Sequence, residues 1–322
     1  MWAAGTALPT GWRRAALWPL SYAPQGSQDN VGMTATARPA FTTQLATAQR
    51  QADSMLCVGL DPEPDRFPGA WRGDAARIFD FCAAIVDATQ AQACAFKPQI
   101  AYFAAHRAED QLERLVAHIR RVAPGVPVIL DAKRGDIGST AAQYAREAFV
   151  RYAADAVTLS PFMGFDSIEP YMAYDGRGLI LLCRTSNPGG SDLQAQRLAG
   201  ADGQPGSLLY EHIARLAAGL WNRNGQLGLV VGATYPAEIT RVRALAPTLP
   251  LLIPGVGAQG GDAQATVQAG WRGSRGPDGL HSSGPVVVSS SRAVLYASAG
   301  ADFADAACAA ARTTRLALNQ GC

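Results

Sequence analysis

From Phe41 onward the chain alternates two patterns of apolar and polar positions. Short, continuous apolar runs recur at 55–60, 93–97, 126–131, 156–160, 179–183, 227–232, 251–256 and 286–289. Runs of that length without polar alternation suit parallel strands covered on both faces. Between them lie stretches with helical character at 74–89, 101–121, 139–153, 166–172, 207–222, 236–246, 262–269 and 303–319. In the second of these, Leu112, Leu115, Val116 and Ile119 fall at the i, i+3, i+4, i+7 spacing of one buried helix face. Eight strands alternating with eight helices predict an α/β fold, a (β/α)8 TIM barrel, as a single domain over 41–322. A doubly wound sheet fits the count less well. The Gly/Ser/Arg-rich stretch 271–284 reads as a surface loop before the last strand.

Residues 1–40 break from this pattern and read as an N-terminal extension, disordered or loosely packed. Met1 to Ser27 contains no acidic residue, and Pro19 interrupts its single apolar run, which argues against a signal peptide. Arg13 and Arg14 in that acid-free stretch leave a transit peptide as the alternative, and Met33 is a second plausible start.

Composition narrows the class. The 322 residues are 48% hydrophobic and 17% charged, enough apolar material for one large core. A net charge of +2 with no Lys/Arg block argues against nucleic-acid or membrane-surface partners. No apolar stretch reaches the roughly eighteen residues of a membrane span. Cys57, Cys82, Cys94 and Cys183 sit in apolar segments, Cys308 in an Ala-rich helix and Cys322 at the end, none in C-x-x-C spacing. Reduced thiols in a cytoplasmic protein are expected. His106, His118, His212 and His281 are scattered, so no protein-built metal site is expected.

The chemistry concentrates in Val128-Ile-Leu-Asp-Ala-Lys-Arg-Gly-Asp-Ile-Gly-Ser-Thr140. Residues two apart on a strand point the same way, so Asp131 and Lys133 share a face about 7 Å apart along the chain, with Asp136 in the loop beyond. Alone, this could be a surface ion pair at a strand end. In a barrel, active sites sit at the carboxyl ends of the strands. The polar residues there are Asp61, Lys97, Asp131 with Lys133, Ser160, Arg184 to Ser186, Thr234, Gln259 and Arg292. Asp61, Lys97, Asp131 and Lys133, from three consecutive strands, would form an alternating carboxylate–ammonium array on one side of the mouth. The other side reads as an anion site. Pro254-Gly-Val-Gly-Ala-Gln-Gly-Gly261 follows the seventh strand and Ser289-Ser-Ser-Arg292 the eighth, the recurrent phosphate position of this fold.

Taken together, these residues resemble the orotidine 5'-phosphate decarboxylase family, in its longer bacterial subgroup. The matching stretches are Leu56-Cys-Val-Gly-Leu-Asp-Pro62, Phe96-Lys-Pro98, Asp131-Ala-Lys-Arg-Gly-Asp-Ile-Gly-Ser-Thr140, Arg184-Thr-Ser-Asn-Pro188, Pro254 to Gly261, and Ser291-Arg292. The D-x-K-x-x-D-I-x-x-T segment is highly specific, whereas the phosphate motifs are shared with other phosphate-binding barrels. The resemblance implies cofactor-free decarboxylation of orotidine monophosphate (OMP) to UMP, the last step of pyrimidine synthesis. It further implies that Lys97, Asp131, Lys133 and Asp136 form the catalytic charge network, with Lys133 stabilising and protonating the C6 carbanion. Asp136, Ile137 and Thr140 would reach the neighbouring subunit's site in a homodimer. Asp61 and Lys97 would hold ribose hydroxyls. Ser186, with Thr185 as its alternative, would sit at the pyrimidine, and Gln259, Gly260 and Arg292 at the phosphate. Two other readings stay open. One is a Mg²⁺-dependent sugar-phosphate decarboxylase or aldolase-like synthase, whose activity a chelator would remove. The other is a silent barrel that binds UMP without releasing CO₂.

Overall fold

The computed structural model describes residues 39–200, 206–256 and 261–322. The expected loose extension therefore falls almost wholly outside the described residues, as do Gln259 and Gly260. The described residues form ten strands: β1 (Leu56–Leu60), β2 (Ala95–Pro98), β3 (Ile129–Arg134), β4 (Ala156–Leu159), β5 (Gly178–Arg184), β6 (Leu227–Val231), β7 (Leu251–Pro254), β8 (Arg272–Gly276), β9 (Gly279–Gly284) and β10 (Val286–Ser290). Eight of them pair in parallel in the order β2-β1-β10-β7-β6-β5-β4-β3. Single bridges from Phe96 to Val128 and from Gln99 to Asp131 bring β2 against β3 and close the TIM barrel.

Alternation along each strand divides the core into two layers. Leu56, Val58, Phe96, Leu130, Val157, Leu179, Leu181, Leu229, Leu251, Val286 and Val288 belong to the layer beneath the outer helices. Cys57, Ala95, Ile129, Ala156, Ile180, Val230, Leu252 and Val287 form the separate inner layer. The inner layer is finished by an element that the periodicity did not predict, the helix Phe41–Ala52. Its Phe41, Leu45 and Ala48 join the inner layer as a plug. Gly178 makes room for it, since a Cβ there would stand 2.4 Å from the Phe41 ring.

Three expectations about connections need correction. The stretch 271–284 is not a loop but the antiparallel hairpin β8–β9, with Arg275 opposite Leu280 and Gly276 opposite Gly279. Its turn is Pro277-Asp278, followed by Gly279 at φ +105, where an L side chain would be strained. The hairpin is anchored from below by Arg243, whose buried guanidinium donates to the carbonyls of Gly270, Ala246, Pro247, Leu249 and Pro285 at 2.5–3.1 Å. Burial pushes this group down to about 10, so it stays charged at neutral pH. The stretch 101–121 is two helices, Ile100–Ala104 and Glu109–Val122, because Arg107 turns left-handed at φ +54. The stretch 166–172 forms short 3-10 turns around Pro170.

Candidate active site

The inward register of the barrel changes from apolar to polar at the carboxyl ends of β2, β3 and β4. Ala95, Ile129 and Ala156 lie in the apolar inner layer. Two residues further along come Lys97, Asp131 and Thr158, all buried and all facing the same interior. Lys97 Nζ donates to Asp131 Oδ2 at 2.9 Å, and Lys133 Nζ donates to Asp131 Oδ1 at 2.6 Å. The Thr158 hydroxyl donates to the same Oδ1 at 2.9 Å. Asp131 thus holds two ammonium groups at once. Burial alone would raise its carboxyl, but Lys97 and then Lys133 overcome that and hold it well below the usual carboxylate range. Lys97 is the mirror case. Burial would lower it, yet Asp131 first and Asp61 second raise it above the ordinary lysine range. Both groups are charged at neutral pH.

The Lys133 side chain is different, being 46% exposed and directed from the strand end toward the open mouth. Its backbone is left-handed at φ +47, rare for a residue with a Cβ. It sits in an irregular stretch of the β3–β4 ladder, between Leu130 and Arg134.

These side chains form one wall of a cavity of about 550 Å³. Leu182, Val230, Leu252 and Pro254 supply an apolar floor, and Thr185, Ser186, Asn187, Leu193 and Gln194 a rim. The rim is shaped by Arg184, buried and paired to Glu238 at 2.7 Å, with further bonds to Ser191 and Gln194. Both candidates for the third polar contact, Thr185 and Ser186, line the cavity. The Thr185 hydroxyl is already engaged with Asn187 and Gln194, whereas the Ser186 hydroxyl has no hydrogen bond among the described residues. A wider depression of about 820 Å³ lies between the helix Phe41–Ala52 and the hairpin, but it contains none of these charges.

Asp61 follows β1 and has a buried Oδ1 with no hydrogen-bond partner among the described residues. Its backbone is held by Tyr296, whose hydroxyl donates to the Asp61 carbonyl at 3.0 Å and accepts from the Glu63 N–H at 2.6 Å. Tyr296 follows the short helix Arg292–Leu295, so this bond ties the Asp61 loop to the Arg292 element. Arg292 itself is exposed at the start of that helix. Its charge and those of Asp61 and Lys97 all act on Tyr102, a half-buried phenol pushed upward chiefly by burial.

The single chain does not bring every predicted residue together. Asp61, Asp136, Ile137, Thr140 and Arg292 are not among the side chains lining the cavity. Asp136 instead accepts from the Ile137 N–H at 2.8 Å, and Ile137 and Thr140 are exposed. Sequence reasoning missed Thr158, Tyr296 and the apolar floor. Thr158 carried a signal, being the polar residue two places after Ala156 in an otherwise apolar strand. Among the described residues no group of three or more His, Cys, Asp or Glu side chains is arranged to hold a metal ion.

Known proteins share this architecture and sequence. Residues 54–307 match the model of the family described as Orotidine 5'-phosphate decarboxylase / HUMPS family. The chain is 75% identical over 279 residues to orotidine 5'-phosphate decarboxylase of Paracidovorax citrulli, covering 87% of this chain and 98% of that protein. It is 72% identical to the protein of the same name from Methylibium petroleiphilum, with the same shares covered. Among solved structures, Leishmania donovani OMP decarboxylase superposes with a TM-score of 0.69 at 38% identity, over 86% of this chain and all of that one. By sequence and by fold, this chain belongs to the orotidine 5'-phosphate decarboxylase family of carboxy-lyases.

Proposed function

We propose that this chain converts OMP to UMP without a cofactor, as the last step of pyrimidine synthesis, with Lys133 as the proton donor. The observation that carries the reading is the buried Lys97–Asp131 pair, with Lys133 bonded to it at the mouth, opening onto a cavity with an apolar floor. Loss of CO₂ breaks the bond to C6 of the pyrimidine and leaves its electron pair on that carbon. The Lys133 ammonium stabilises the pair and then donates a proton to it, and the resulting amine regains a proton from solvent. Asp131, held ionised, accepts from the Lys133 ammonium at 2.6 Å and so holds the donor at the cavity mouth.

Magnitudes limit what this array does alone. A unit charge pair at 4 Å is worth about 4 kcal/mol at an effective dielectric near 20. Enzymes lower barriers by roughly 8–23 kcal/mol. The phosphate is the natural second source, its binding energy holding the ring against the charged wall. Arg292 and the 254–261 loop, including Gln259 and Gly260, are assigned to that phosphate. The unsatisfied Asp61 Oδ1 and Lys97 are assigned to the ribose hydroxyls, and the free hydroxyl of Ser186 to the pyrimidine.

The reading includes a homodimer with shared sites. Ile137, Phe162 and Met163, on the loops leaving adjacent strands β3 and β4, are 44%, 76% and 47% exposed. Large apolar side chains so placed beside Asp136 suit a surface covered by a second copy, to whose site Asp136, Ile137 and Thr140 would turn. A cytoplasmic location goes with this reading and suits six unpaired cysteines. The test is CO₂ release from OMP by chelator-treated protein. Turnover that survives the chelator supports the proposal. Turnover that requires Mg²⁺, or UMP binding with no release of CO₂, refutes it.

A further inference from the structure

We infer that Thr158 is a positioning residue for this reaction, whose hydroxyl sets the Lys133 backbone and the Asp131 carboxylate in register. The inference rests on the proposed role of Lys133. Thr158 lies on β4, 1% exposed and pointing into the barrel. Its Oγ1 accepts from the Ala132 N–H at 3.0 Å and from the Lys133 N–H at 3.0 Å, and donates to Asp131 Oδ1 at 2.9 Å. A hydroxyl has one proton and two lone pairs, so its capacity is fully used. Direction is fixed too. The two amides can only donate and an ionised carboxylate can only accept, which commits the hydroxyl proton to Asp131.

This hydroxyl stands opposite an irregularity in the sheet. Leu130 pairs with Val157, and the next pair is Arg134 with Leu159. Three residues of β3 therefore face Thr158 alone, as in an enlarged bulge. In an unbroken ladder, Asp131 would pair with Thr158 and Lys133 with Ser160. The N–H groups of Ala132 and Lys133 turn instead to the Thr158 side chain, and Lys133 takes up φ +47. That backbone is unfavourable in a residue with a Cβ and persists only where neighbours over-determine it. The same Asp131 Oδ1 also receives Lys133 Nζ at 2.6 Å. One side chain from a neighbouring strand thus fixes Lys133 at its backbone directly and at its tip through Asp131. The hydroxyl bonds to none of the residues assigned to the phosphate or ribose, so it governs where the ammonium sits more than how tightly substrate is held.

The test is steady-state kinetics on OMP with Thr158→Val, which keeps the shape and removes the hydroxyl, and Thr158→Ser, which keeps the hydroxyl and removes the methyl. A displacement of about 1 Å in a reacting group is worth roughly 10²-fold in rate. In T158V, kcat should fall by about that factor while KM moves less than about threefold, and T158S should recover kcat to within about fivefold of wild type. If T158V does not fold, Thr158→Cys replaces it, its thiol being a poor donor and acceptor, with the same split of kcat against KM expected. Retention of kcat within about threefold in the hydroxyl-free variant, an equal loss in T158S, or a rise in KM at constant kcat would each overturn the inference. Lys133→Ala measured alongside separates the two ideas. If that variant turns over normally, the assignment of Lys133 is what fails, whereas a dead K133A beside a fully active T158V removes Thr158 alone.

Discussion

Replacing Asp131 by Asn keeps the side-chain shape and removes the charge that balances Lys97 inside the barrel. The side chains of Lys97 and Asp131 are 7% and 10% exposed, with 2.9 Å between Nζ and Oδ2. At an effective dielectric near 20 that separation corresponds to a gross attraction of about 6 kcal/mol. Desolvation offsets much of it, and removing one partner of a buried pair typically costs about 3–5 kcal/mol because the other charge is stranded. The bond to Lys133 adds less than about 1 kcal/mol, since that side chain is nearly half exposed. Asp61 still acts on Lys97, which places the expected loss in D131N toward the lower end, about 3 kcal/mol. The thermal midpoint should drop by about 5 °C. Adding Lys97→Met removes the stranded ammonium, so the double variant should regain most of the loss. The pH dependence follows from the same groups. In wild type Lys97 is raised, so its contribution is fully present below its ordinary value of 10.5 and fades as pH rises through the raised one. Asp131 is lowered, so its contribution is present above 3.8 and fades as pH falls. In D131N, burial acts on Lys97 against one less carboxylate, so the defect should be largest at neutral pH and shrink as pH approaches 10.5. Denaturant titrations at pH 7 and 9.5 measure both effects. A D131N variant within about 1 kcal/mol of wild type at pH 7, or strictly additive losses in the double variant, would refute the reasoning.

Other expectations concern separate parts of the molecule. Lys133→Ala should abolish turnover with little change in stability, because Asp131 keeps Lys97 and Thr158; near-normal kcat in a stopped CO₂-release assay would contradict the role assigned to it. Arg292→Ala should weaken binding of OMP and spare a phosphate-free analogue, by isothermal titration, whereas equal losses on both would exclude a phosphate contact. Mixing K133A with Asp136→Ala subunits should restore partial activity through one intact shared site. No recovery in verified heterodimers would argue against sharing. Arg243→Met should cost at least about 3 kcal/mol, because five carbonyls lose a charged donor, and should raise amide exchange in the hairpin β8–β9 before the barrel. Uniform exchange across the chain would mean that Arg243 does not anchor the hairpin.

The barrel was legible because a parallel strand covered on both faces must be apolar throughout, and seven helical stretches separate the eight runs that became its staves. The charged wall was legible because four ions within six residues at the end of such a strand (Asp131, Lys133, Arg134 and Asp136) stand out in any reading. Other features depend on partners distant in sequence. The helix Phe41–Ala52 shows few apolar positions, and it is seated partly by polar atoms, Gln49 donating to the Val286 carbonyl 237 residues away. The hairpin has a loop's composition, although Pro277-Asp278-Gly279 marked its turn, and it is anchored through the buried Arg243. Nothing local in Asp131-Ala-Lys133 dictates a left-handed lysine. The hydroxyl that stabilises it comes from Thr158, 25 residues on, once β3 and β4 lie side by side. Sequence alone decides which residues are apolar and which carry charge, because that is composition and period. The bulge, the orientation of the ammonium group and the cavity walls are decided by tertiary structure, because each is a hydrogen bond or a contact between strands that only closure of the barrel brings within reach.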